Sequence, residues 1–581
     1  MKILKFITAS AICMLTLFAC SDSKTEDVPD DPKEEPKSEG VDYLVMFYAQ
    51  GGETLDECIL GNVYQALDEG SSDKVKMTFQ YKLSAALHDK YAEFNGTRRF
   101  TLDDNKQFIG TYKDNSAKYP ENDAGATKYL VENLKTEKIG DNKYDMSSTD
   151  ALASFIKWSK ELYPDAKHTI LVISGHGNGW KFALDGKAAT RAIQPDNNLN
   201  DKSLSATEIN NAVKAAGGVE LFYTDACLMA MYENLYEYSS TFKYMLSPME
   251  ITMGVGDNYT KLLSLLKSAN NTEAGLVDVM HKYMDYLISP EWWDNPKLST
   301  RFADIGFYDL TKIDNLTPVL KQITDKLVEK ITSDEKLVSP TSPTLPFGDS
   351  YRTYINNAIN QCEIAEGSSW MKVKNIPSVL LPYMQADSIK FEEFDGNTFV
   401  HTRNIIAWMW NAPNNHAHEA YANHEGEWKQ LRQTIIKSTA TSFSLTDMLR
   451  NLGGIMYAYG VDDTFAKLHD ELIAALKTMV YIRSTEPVKI PGLDQAYELC
   501  SPGIQIVPLN NLYYVEDFNQ YNLKDIKTVE EALSIYQSTT FDKKVGWSRI
   551  LSLINVQPSV FSNPSREEVL STEVYNMQQG Q

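Results

Sequence analysis

Cysteine is scarce in this chain, with six among 581 residues, and base is in deficit, with 56 Lys and Arg against 78 Asp and Glu and a net charge of -22. The missing positive charge argues against a nucleic-acid partner, because holding a phosphate backbone needs a basic face. It fits solubility and an attraction for basic substrates. Setting aside Cys13 and Cys20 near the N-terminus, the remaining Cys58, Cys227, Cys362 and Cys500 are widely scattered, and no two stand at metal-ligand spacing. So few cysteines make no disulfide scaffold in a chain this large. Buried thiols are the plainer expectation, with a bridge among Cys58, Cys362 and Cys500 left open. After the N-terminal segment no run is long and apolar enough to form a transmembrane helix, and no internal repeat is evident.

The N-terminus carries the features of export. A short basic stretch, Met1 to Lys5, precedes an apolar one, Phe6 to Ala19, which is too short to span a bilayer. Leu17-Phe-Ala-Cys20 resembles the bacterial lipoprotein box, in which the cysteine becomes the lipidated first residue of the mature chain. Residues 1–19 are therefore expected to be a signal peptide. Residues 20–40 are rich in Asp and Glu and poor in apolar groups, which predicts a disordered, solvated tether. Lipidation at Cys20 would place the chain on the bacterial cell envelope, anchored at the outer membrane or cell surface.

Beyond the tether, apolar runs alternate with amphipathic ones. Tyr43 to Tyr48 reads as a buried strand, Leu55 to Leu67 as a helix and Lys74 to Tyr81 as a second strand. From Ser147 the pattern sharpens. Ser148, Thr149 and Asp150 can cap a helix whose Leu152, Phe155, Ile156 and Leu162 share a face, and Pro164 ends it. Two further strands, His168 to Ser174 and Val219 to Tyr223, flank a helix predicted from Ala206 to Ala216. Repeated strand–helix–strand units predict an α/β fold with a mainly parallel sheet flanked by helices.

Each of the last two strands delivers a reactive residue to the carboxyl edge of that sheet, where α/β proteins present chemistry to solvent. His176 follows the first and Cys227 the second. Cys227 is expected at a helix N-terminus, since Leu228, Met231, Tyr232 and Leu235 continue at helical spacing; the macrodipole there favours thiolate. Gly175 and Gly177 around His176 would leave backbone N–H groups free to hold an oxyanion. Adjacent strands would make the two side chains face each other.

Taken together, Phe155-Ile-Lys-Trp158, Ser174-Gly-His-Gly-Asn-Gly-Trp180, Arg191, Thr224-Asp-Ala-Cys-Leu-Met229 and Glu233 resemble the clostripain family of cysteine peptidases. The resemblance runs from Ser147 to Tyr259 and more broadly from Val41 to Leu310, where Phe302-Ala-Asp-Ile-Gly-Phe-Tyr-Asp-Leu310 falls in a family-like place; Gly503 to Pro508 resembles a late family strand. It implies a caspase-like fold, with His176 as general base and later acid and Cys227 as nucleophile. Gly177 and Cys227 would supply the oxyanion N–H groups. Asp225, two residues before the cysteine, would define a pocket for arginine or lysine at P1; its position equally allows it to cap the helix after Cys227. Lys187 and Arg191 lie in a loop where family members are cleaved, so self-cleavage is expected there. No cofactor is required for the chemistry, and calcium is possible by resemblance. The chain departs from the family pattern at Ala49 to Asp56 and at Ser247 to Tyr259, where a tryptophan is missing.

These features bound a peptidase domain at 41–315 and a mixed, helix-rich region at 316–581 packing on or extending the core. Helices are expected from Leu445 to Leu452 and from Phe465 to Met479. His416, His418, Glu419, His424 and Glu425 are zinc-type residues without metalloprotease spacing, so a solvated loop is expected. Gly254-Val-Gly256 lacks the rest of a phosphate loop. Trp292, Trp293, Trp408 and Trp410 are expected to pack between domains, as aromatics generally do, rather than to form a carbohydrate platform. The function expected is an endopeptidase cleaving after Arg or Lys in proteins or peptides; the alternative is a catalytically silent binding or adhesin-like lipoprotein on the same scaffold.

Overall fold

A computed structural model describes residues 40–555, apart from 52–54, 84–95, 111–129, 131, 178, 181–192, 197–198, 200–201, 250–255, 288, 290–303, 334–335, 342–349, 361–363, 367–369, 395–396, 402–404, 406–407, 410–414, 429, 432–439, 485–504 and 507–528. The expected signal peptide, Cys20 and the tether up to residue 39 lie outside these residues, as do Lys187, Arg191, Cys362, Cys500, Trp292, Trp293 and Trp410.

The core is a nine-stranded sheet built from β1 (Tyr43–Gln50), β2 (Val75–Lys82), β3 (Thr97–Thr101), β4 (Glu137–Gly140), β5 (His168–Gly175), β6 (Leu221–Asp225), β7 (Tyr244–Ser247), β8 (Asp304–Asp309) and β9 (Val480–Ser484). Its spatial order is β9-β8-β7-β6-β5-β1-β2-β3-β4. The five central strands, β7, β6, β5, β1 and β2, are parallel, while β3 and β4 on one side and β8 and β9 on the other join antiparallel. Tyr43 to Ala49 and Ile170 to Ile173 are buried on both faces, as a parallel strand covered by helices must be.

Strand alternation sends side chains into two separate cores. Leu44, Met46, Tyr48, Leu171 and Ile173 face one helical layer, and Tyr43, Val45, Phe47, Ile170 and Val172 the other. The first layer holds α2 (Thr149–Leu162), α3 (Ala206–Ala215), α4 (Tyr232–Tyr238), α7 (Thr317–Thr332), α8 (Leu445–Ala458), α9 (Thr464–Leu476) and α10 (Val529–Gln537); the second holds α1 (Asp56–Glu69), α5 (Tyr259–Ser268) and α6 (Glu273–Leu287). The parallel α/β architecture agrees with the pattern read from the sequence.

The elements expected up to β6 match within about two residues, as period and caps allow. Ser148 caps α2 by accepting from the Ala151 N–H, as expected. The antiparallel strands β3 and β4 were not expected. β3 reads Thr-Arg-Arg-Phe-Thr, and its central Arg99 is kept inside by bonds to Gln80 at 2.6 and 3.0 Å and by the Trp158 ring 4.9 Å away. The late strand expected within Gly503 to Pro508 does not join this sheet. Gln505–Ile506 pairs in a small separate sheet with Ala440–Ser444, and the outer strand of the main sheet is β9.

Helix α3, which connects β5 to β6, starts with a capping box: the Glu208 N–H donates to Ser205 Oγ at 3.1 Å and the Ser205 N–H to Glu208 Oε2 at 2.7 Å. Ser205→Ala should lower stability by about 1 kcal/mol, read as an earlier urea midpoint with unchanged cleavage activity.

Candidate active site

Parallel pairing of β5 with β6 sets Ser174 opposite Asp225, so the two strands end side by side. His176 and Cys227 follow those ends and are both partly exposed. The closeness of the two turns is visible at Gly177: a Cβ there would lie 2.2 Å from the Cys227 carbonyl oxygen and 2.7 Å from its nitrogen. Only glycine permits that approach. The structure thus brings His176, Gly177, Asp225 and Cys227 together, and Cys227 is not in a disulfide.

Cys227 does not sit at a helix N-terminus, contrary to expectation. Leu228 takes a left-handed φ of 66°, Met231 is extended, and α4 begins only at Tyr232. The apolar positions that looked helical belong to a buried turn: Leu228, Met229, Ala230 and Met231 all lie in the core. A left-handed leucine carries strain of order 1–3 kcal/mol, tolerated where surrounding contacts over-determine the backbone. Here the Ala230 N–H donates to the Pro248 carbonyl at 2.9 Å, and Asn234 Nδ2 donates to the Met229 carbonyl at 3.0 Å. The macrodipole of α4 therefore does not begin at Cys227.

Asp225 does not cap α4 either. Strand alternation turns it to the face of Leu221 and Tyr223, away from that helix. There its Oδ2 accepts from the Tyr259 hydroxyl at 2.8 Å and from Ser174 Oγ at 3.2 Å. Burial pushes its carboxyl above the ordinary value, while those two hydroxyls and the Asp257 N–H favour the charged form.

Asp257 is a second carboxylate at the same place, and the sequence reading missed it. Its carboxyl accepts from the Tyr223 hydroxyl, and Asn62 Nδ2 donates to its backbone carbonyl at 3.2 Å. Neighbouring Gly256, at φ 67°, lets the chain pass close: a Cβ there would meet Asn62 Oδ1 at 2.7 Å and Asp225 Oδ2 at 3.1 Å. Burial, then the charge of Asp225, pushes Asp257 up to about 8, against the Tyr223 bond that lowers it. The pair thus retains at neutral pH a proton that separate carboxyls would lose. Aspartate in a polar loop just before α5 carried no distinguishing signal in the sequence.

Other candidates resolve as structural. Residues 417–423 form a short helix rather than a loop, with His416 Nδ1 paired to Asp387 Oδ1 at 2.6 Å. Trp408 packs 5.2 Å from Trp428 and donates to Asp387 Oδ2 at 2.7 Å, within a small core of its own. Among the described residues no group of three or more His, Cys, Asp or Glu could hold a metal ion.

A histidine and a cysteine just past neighbouring strand ends of a mainly parallel sheet fit a caspase-like fold. The model of the clostripain family matches residues 128–547, and the chain belongs to that family. Clostripain of Hathewaya histolytica is 20% identical over 365 residues, which cover 57% of this chain and 64% of that protein, a little under two thirds of its length. Among solved structures, a secreted C11 cysteine protease from Bacteroides thetaiotaomicron in complex with an irreversible peptide inhibitor is 11% identical, with a TM-score of 0.45 over 87% of this chain and 99% of that one. An inactive zymogen C11 protease from Parabacteroides distasonis is 12% identical, with a TM-score of 0.41 over 87% and 98%.

Gly177→Ala should leave a folded protein that has lost about 100-fold in kcat/KM, because its methyl group would force the two turns apart. A thermal melt beside the kinetics separates this outcome from unfolding.

Proposed function

We propose that this chain is a cysteine endopeptidase that cleaves after arginine or lysine. The observation that carries the reading is the contact of Gly177 with the Cys227 backbone, which joins the His176 and Cys227 turns in a chain of the clostripain family. In this mechanism His176 takes the thiol proton as Cys227 Sγ attacks the scissile carbonyl carbon. The carbonyl oxygen becomes an oxyanion, held by the N–H groups of Gly177 and Cys227. Collapse forms a thioester and expels the amine, which receives the proton from His176. Water, deprotonated by the same imidazole, then hydrolyses the thioester and frees the thiol.

Asp225 is the proposed partner of the basic P1 side chain, with Asp257 beside it. An arginine presents a fork of donors to such a pair, while a lysine offers a point charge. Self-cleavage after Lys187 or Arg191 fits the same specificity, and lipidation at Cys20 would hold the enzyme on the cell envelope, facing periplasm or exterior. These two proposals rest on sequence features alone.

A peptide probe bearing arginine or lysine and an electrophilic warhead should label wild-type protein at Cys227. Cys227→Ala should remain unlabelled and uncut between residues 181 and 192. An unlabelled wild type, supplied with calcium, points instead to the silent binding protein.

The carboxylate pair adds a pH signature. Unfolded, Asp257 ionises near 3.8; folded, it keeps its proton to about 8. Its stabilising contribution is therefore complete below the unfolded value and is lost as pH rises through about 8. A cationic P1 group must displace that proton, so KM for arginine substrates should fall as pH rises towards 8. Asp257→Asn should flatten this slope, and an unchanged slope in that variant contradicts the assignment. Asp225→Ala should lose basic-substrate cleavage selectively in substrate profiling.

A further inference from the structure

Helix α10 reaches the catalytic turns from the far end of the chain. Its Tyr536 is fully buried, and the ring meets Trp180 edge-on with centroids 5.0 Å apart and planes at 84°. Trp180 stands four residues beyond His176, and its backbone N–H donates to Met231 Sδ at 2.9 Å. The hydroxyl of Tyr536 donates to Glu233 Oε1 at 2.6 Å, and Glu233, six residues beyond Cys227, is fully buried in the first turn of α4. One side chain thus touches the segment after the histidine and the segment after the cysteine.

The surrounding contacts seat α10 and the residues just beyond it on α4. Phe541 stacks on Tyr232 at 6.0 Å and meets Tyr236 at 5.3 Å, and Thr540 donates to the Glu237 carboxylate through its N–H at 2.6 Å and its hydroxyl at 3.0 Å. Packing alone would be served by apolar groups in place of Tyr536 and Glu233. Burying a carboxylate is costly unless its bonds are made, and the Tyr536 bond to it comes from a side chain that also contacts Trp180. The strained Leu228 turn between Cys227 and α4 is the kind of backbone that needs an outside hold.

We propose that Tyr536 is a positioning residue of the catalytic centre: through Trp180 and Glu233 it clamps the His176-bearing and Cys227-bearing segments to each other. The proposal rests on the reading of His176 and Cys227 as the catalytic dyad. A cut between residues 181 and 192 would leave Trp180 and Glu233 on separate chains, and the clamp would then span the break.

The test compares Tyr536→Phe, Glu233→Gln and Glu233→Leu with wild type in the full chain. Readouts are kcat and KM on an arginine peptide, the thermal melt, and the pH dependence of Cys227 alkylation by iodoacetamide, followed by mass spectrometry of the Cys227 peptide. Loss of the clamp in Tyr536→Phe should lower kcat about tenfold with KM little changed. It should also move the alkylation midpoint towards the free-thiol value of about 8.5, with the melt nearly intact. Glu233→Leu should behave alike, while Glu233→Gln, which keeps an accepting oxygen, should retain most of the activity. A wild-type kcat and alkylation midpoint in Tyr536→Phe overturns the proposal, as does a loss of kcat matched by a loss of folded protein. Cys227→Ala run alongside separates the two failures: if it stays active the dyad reading falls, and if it is inactive while Tyr536→Phe is wild type, only the clamp falls.

Discussion

The parallel register of β5 on β6 is the constraint on which the site depends. Ile170 to Ser174 pair with Leu221 to Asp225 residue for residue, so both strands stop at one level and release their chains into the same space. A slip of β6 by one residue would turn Asp225 to the opposite helical layer, away from Ser174. It would separate Asp225 from Tyr259 and lift Gly177 from the Cys227 backbone. The apolar side chains on both faces hold that register, because each strand has two cores to satisfy rather than one.

From that register the site divides by face. On the side of α1, α5 and α6, buried Asp225, Tyr223 and Tyr259 gather with half-buried Asp257 into an acidic cluster. On the other side, the turns after His176 and Cys227 lean on α4 and α10 through Trp180, Met231, Glu233 and Tyr536. The charged groups that would select a substrate and the packing that would align the nucleophile are thus built from different layers. Changes in one layer can leave the other intact, which is how a scaffold accommodates new specificity without losing its chemistry.

Much of this was legible in the chain. Continuous apolar runs such as Tyr43 to Ala49 mark strands buried on both faces, and amphipathic spacing marks α3 and, with a capping serine, α2. His176 and Cys227 stood out because each ends such a run. What was not legible depended on contacts between distant segments. β3 carries two arginines and looks unlike a strand until Gln80 and Trp158 receive Arg99. The turn after Cys227 looked helical because buried turns and buried helices share apolar composition, and only Leu228 at positive φ distinguishes them. Strand β9 sits more than 170 residues after β8 in the chain yet lies beside it in the sheet.

Sequence by itself determined the class of fold, the succession of strand–helix–strand units and the place of His176 and Cys227 just past two strand ends, because periodicity and turn chemistry are local properties. Tertiary structure alone decided that Asp225 turns away from α4, that Asp257 joins it 32 residues later, and that Tyr536 closes on Trp180 and Glu233 across more than 300 residues. Each of these is set by which faces meet when the sheet is covered, and that is settled only when both cores are packed.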